Sequence, residues 1–235
     1  MAKIVVGFDS SASEELADAA ARLAQALEAE LVGIFVEEPA ALRLAELPFT
    51  VLIEHSGRAR ELDLNHVEAL LRVAAARARS ELSRAARRER VPVTFRVARG
   101  RLLGELAAAT AERDLLVMGN ARPEPGASSA RGPVTVAARD DRHLRHLLAV
   151  GAAVAGPELL VLIVLQKGRP AAEAWARETG HPLLIRSCPE FPPHALARTV
   201  GQLSGRMLIL AAADWDDREL GELRRELRCP LVLSR

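Results

Sequence analysis

Asp9 closes an apolar run, Ile4 to Phe8 (IVVGF), and is followed by Ser10, Ser11 and Ser13. A strand-end carboxylate beside hydroxyls can hydrogen-bond a ligand or cap the helix that follows, since both roles use the same acceptor atoms. His143 and His146 share a helix face at i, i+3, but no third N, O or S ligand sits at a metal spacing, so they read as a surface pair. Cys188 precedes Pro189 and Cys229 precedes an apolar run, and both read as structural thiols. A G-x-S-x-G elbow, a Walker loop and a G-x-G-x-x-G turn after a first strand are all absent. These residue types predict a binding protein without turnover, with no catalytic residue and no metal.

The elements that must position these residues follow from periodicity. Ile4 to Phe8 and Leu31 to Val36 are short apolar runs of the kind buried on both faces of a parallel sheet, and the Ala- and Leu-rich stretch between them, to about Leu27, reads as a helix. Glu37 to Leu64 loses its period, interrupted by Pro39, Pro48 and Gly57, and predicts a functional loop or small helical pieces. Asn65 to Arg90 predicts a helix with Val67, Leu70, Leu71, Ala74, Ala78, Leu82 and Ala85 on one face. Strands are expected at Val93 to Val97 and Leu115 to Met118, with a helix over Arg101 to Glu112 and a Ser/Ala/Gly linker over Gly126 to Gly132.

The same grammar then recurs. Strands are expected at Val134 to Ala138, Leu159 to Leu165, Leu183 to Ile185, Met207 to Ala211 and Leu231 to Leu233. Helices are expected at Arg142 to Val154, Ala171 to Glu178, His194 to Leu203 and Asp217 to Leu227. Setting Ile4 against Val134 superposes the first strands and helices, which predicts an internal repeat of about 100 to 130 residues.

Composition excludes several classes. The chain is 49% hydrophobic and 27% charged with a formal net charge of +1, so it is neither disordered nor a polyanion-binding tail. The Asn65 to Arg90 helix carries an arginine excess, but with five Phe, two Trp and no Tyr in the whole chain it lacks the aromatic interleaving of a nucleic-acid surface. Leu147 to Leu165 approaches the length of a membrane span, yet Pro157 and Glu158 break it, and no membrane partner is expected. Two cysteines and an N-terminus without the regions of a signal peptide point to the cytoplasm.

The first repeat resembles the universal stress protein family over about 120 residues. The resemblance rests on KIVVGFDSSASEELADAAARLAQALEAELVGIFVEEP, then FRVARGRLLGELAAATAERDLLVMGNA, and extends faintly to the closing CPLVLS. It implies an α/β fold of two tandem doubly wound parallel-sheet domains, residues 1–130 and a degenerate 131–235. Residues 119–132 leave no room for the first domain's last helix and strand. In the alternative, Pro133 to Ala138 closes domain one and the second repeat lacks its first strand.

The family's nucleotide pocket, carried onto this chain, would use Gly7, Asp9 and Ser10 after the first strand, Val36 after the second, and Met118, Gly119, Arg122 and Gly132 around the last loop. That loop has the form G-x2-G-x9-G-[ST], which exposes backbone N–H groups to phosphates. Here Arg122 replaces the second glycine and Pro133 the hydroxyl, so ATP binding is expected to be weak or lost and no cofactor is expected. Arg139 stands where the second repeat should repeat Asp9. Self-association through the last strand, between chains or between repeats, is expected. The resemblance implies a stress-response association protein. Two alternatives are an adenine-nucleotide-dependent enzyme of the same architecture and an accessory module sensing a small ligand through Glu37 to Leu64.

Overall fold

Short apolar runs become strands because only a two-sided parallel sheet buries every one of their side chains. In the computed structural model, which describes residues 2–10, 14–39, 43, 51–53, 59–61, 64–111, 114–119, 132–190 and 192–235, these runs form one nine-stranded sheet. Its strands are β1 (Lys3–Phe8), β2 (Glu30–Glu37), β5 (Val93–Arg99), β6 (Leu115–Met118), β7 (Val134–Ala138), β8 (Leu160–Leu165), β9 (Leu183–Cys188), β10 (Met207–Ala211) and β11 (Leu231–Ser234). The order is β5-β2-β1-β6-β11-β10-β7-β8-β9. Every neighbouring pair is parallel except β6 and β11, which run antiparallel with Val117 opposite Val232.

Helices cover both faces. On one lie α1 (Glu14–Ala26), α2 (Leu64–Glu89), α4 (Asp141–Ala155) and α5 (Arg169–Thr179), and on the other α3 (Leu102–Ala109), α6 (Pro193–Gln202) and α7 (Asp217–Glu226). The fold is therefore doubly wound α/β, as the family resemblance implies. β7 lies between β10 and β8, so Pro133 to Ala138 adds no strand beside β6; that neighbour is β11. β11 is accordingly a central strand with both neighbours in the same chain.

The structure revises two sequence expectations. Within the aperiodic stretch Pro39 and Arg43 are helical, in keeping with the expected small helical pieces, and the described residues add a small antiparallel pair that periodicity does not announce, β3 (Val51–Ile53) with β4 (Ala59–Glu61). Leu70 is 49% exposed and off the buried face of α2, whose buried set includes Glu81 instead. As expected, the apolar 147–165 stretch is broken in the middle: α4 ends at Gly156, which adopts φ 60°, and the chain resumes as β8. Among the described residues no helix is long and apolar enough to cross a membrane. The 126–131 linker and Arg122 fall outside the described residues.

Candidate functional site

β1 and β6 are adjacent parallel strands. The helix that follows β1 and the helix that precedes β6 lie on opposite faces of the sheet, so a crevice opens at their carboxyl ends, where ligands bind in sheets of this kind. Asp9 follows β1 and Gly119 follows β6. Arg224, in the last turn of α7, enters this crevice from the far end of the chain. Its Nη2 pairs with Asp9 Oδ2, and its Nε donates to the Gly119 carbonyl at 2.9 Å. The two side chains are only 17% and 19% exposed, so water screens the pair weakly.

The other residues expected in this pocket take different places. Gly7 lies under α3, where a Cβ would stand 2.3 Å from Leu106 Cδ1; its role is to let the helix approach the sheet. Val36 and Met118 are buried in the same layer with Leu102 and Leu106 and show no surface to a ligand. Ser10 is exposed, and with Asp9 it borders a cleft of about 400 Å³ otherwise walled by α2, including Val67, Leu70 and Arg77. Gly132 precedes β7, three strand positions from β6, which is about 14 Å at the usual strand spacing. A Cβ there would meet the Ser204 carbonyl at 1.7 Å, so this glycine serves a backbone crossing.

At the matching end of β7 stands Arg139. Its guanidinium makes a two-pronged ion pair with Glu219, 2.9 Å on each arm, donates to the Asp214 carbonyl at 3.1 Å, and lies 3.4 Å from the ring centroid of Trp215. Hydrogen bonding from Arg139 holds the Glu219 carboxyl below its ordinary range. Glu219 also closes a capping box with Asp216, so the first turn of α7 is fixed to Arg139 while its last turn is fixed to Asp9. Because β6 and β11 are antiparallel, these two crevices lie at opposite strand ends of the sheet, and α7 spans from one to the other.

The histidines separate. His146 Nε2 lies 2.9 Å from Ser234 Oγ, and His143 Nε2 lies 3.8 Å from Asp214 Oδ1. Burial raises the Asp214 carboxyl above its ordinary value, and its Oδ2 is buried without a hydrogen-bond partner. Burial pushes the Cys229 thiol up to about 12 and raises Cys188 as well, which keeps both protonated and weakly nucleophilic. Among the described residues no group of three His, Cys, Asp or Glu could hold a metal ion.

Arg224, Glu219 and Trp215 are the site residues that sequence reading misses. The D-x-x-E capping signature at Asp216 and Glu219 was available to it. Nothing local links Arg224 to Asp9, 215 positions away.

No protein-family model and no curated protein matches the sequence. The fold does match solved structures. A universal stress protein from Archaeoglobus fulgidus DSM 4304 superposes with TM-score 0.59 at 10% identity over 98% of this chain and 96% of that one. A candidate universal stress protein from Pseudomonas aeruginosa UCBPP-PA14 gives 0.51 at 14% identity over 98% and 92%. The chain has the universal stress protein fold across nearly its whole length.

Proposed function

We propose that this chain is a universal-stress-type association protein of the cytoplasm, acting in the stress response by binding without turnover and with ATP binding weak or lost. The observation that carries this reading is Arg224. Its guanidinium engages the Asp9 carboxylate and the Gly119 carbonyl, the two groups that a nucleotide at the β1–β6 crevice would meet first. A ligand there must break a poorly screened ion pair, and Gly132 and Pro133, the positions that would close a phosphate loop, lie at the start of β7, three strands from β6.

Calorimetry with ATP and magnesium tests this. The wild-type chain is expected to give no saturation below millimolar ATP, and Arg224→Ala is expected to bind no more than about tenfold better, because Gly132 and Pro133 still lie three strands away and bring no phosphate donors to the crevice. A low-micromolar Kd for the wild type overturns the reading.

A further inference from the structure

Strands β1 and β7 are separated by β6, β11 and β10. Four strand steps place their helices α1 and α4 about 19 Å apart if each sits over its own strand, whereas packed helices lie about 8 to 10 Å apart. The helices lean together and touch, burying Val117, Val232 and Ile209 beneath them, but a cleft of about 450 Å³ remains between them. The strand order itself produces it.

Its floor is apolar, with Ala19, Val154 and Met207, and its rim is charged. Most of those charges are matched. Arg88 pairs with Asp18 and lies 3.8 Å from Glu89, while Arg206 pairs with Glu158 at 2.8 Å and donates to the Val154 carbonyl at 3.1 Å. Two charges on the lining face of α1 have no ion pair among the described residues: Glu15 and Arg22. Seven residues apart, they stand about 10 Å from each other along the helix with Ala19 between them. An extended tripeptide spans about the same length between its ammonium and carboxylate.

We propose that this cleft binds a short zwitterionic peptide, its ammonium toward Glu15, its carboxylate toward Arg22 and its side chains over Ala19, Val154 and Met207. The proposal is independent of the Asp9 crevice. Trialanine titrated into the full chain and followed by calorimetry tests it. Saturable one-to-one binding is expected, about fivefold weaker for N-acetyl-trialanine and for trialanine amide, each of which lacks one charge. Glu15→Gln should abolish the preference for the free amine alone, and Arg22→Gln the preference for the free carboxylate alone. Both side chains are exposed, so an unchanged thermal transition is expected and checks the fold. Arg224→Ala should leave trialanine binding unchanged. Absence of saturation up to about 10 mM, or binding indifferent to the caps and to both substitutions, overturns the proposal.

Discussion

Arg224 and Asp9 come from opposite ends of the chain, and each is less than one-fifth exposed, so removing either one loses an ion pair that water screens weakly. Arg224→Ala is expected to destabilise the chain by about 1 to 3 kcal/mol, and Asp9→Asn in the same background to recover part of that loss, because a neutral amide there needs no cation. Denaturant titration of the two single variants and the double variant checks this; additive losses would show that the pair does not couple. Asp214 gives a second test with a definite sign. Its folded carboxyl is raised by burial, so the folded state binds the proton more tightly than the unfolded one. That contribution is fully present below the unfolded value near 3.8 and is lost as pH rises through the folded value. Asp214→Asn should therefore raise Tm at pH 7 and give no gain below pH 3.8. A gain that does not depend on pH would mean that ionisation is not the cause.

At the scale of elements, β11 depends on both neighbours, pairing parallel with β10 and antiparallel with β6. Val232 is fully buried at its centre, and proline there deletes a backbone donor and crowds the ladder. We expect Val232→Pro to cost on the order of 3 kcal/mol or more, a fall of roughly 6 to 12 °C in Tm by differential scanning calorimetry. Strand positions were legible in the sequence because a run buried on both faces has to be apolar throughout; Leu115–Met118, Val134–Ala138 and Met207–Ala211 fall where periodicity sets them. Edges were less legible. β9 continues through Arg186 to Cys188, since an edge strand can turn a charged side chain to water and still pair. The site was less legible still. Asp9 and Gly119 are announced by their places after strands, whereas Arg224 is one of two arginines in the last turn of a polar helix, where helix-end electrostatics already accounts for it.

At the scale of the molecule, the sheet continues across β6 and β11, and this is where the two halves of the chain are most firmly joined. Residues before 119 contribute the order β5-β2-β1-β6, which ends on β6, and the residues that cover β6's outer side come from β11 and α7 more than a hundred positions later. A fragment ending near residue 130 would expose β6 as four consecutive apolar residues, Leu115 to Met118, with open backbone donors and acceptors and no charge among them. It would also leave Asp9 without Arg224 and strip Leu220 and Leu223 of α7 from the buried apolar cluster that contains Leu116 and Met118. We therefore expect this fragment to aggregate or to lack a cooperative thermal transition, while the whole chain stays soluble and unfolds cooperatively. Sedimentation velocity and scanning calorimetry on the two proteins at equal concentration check this. A monomeric fragment with a sharp transition would show that β6 tolerates a free edge, and that β11 is joined to the first half without being needed to fold it.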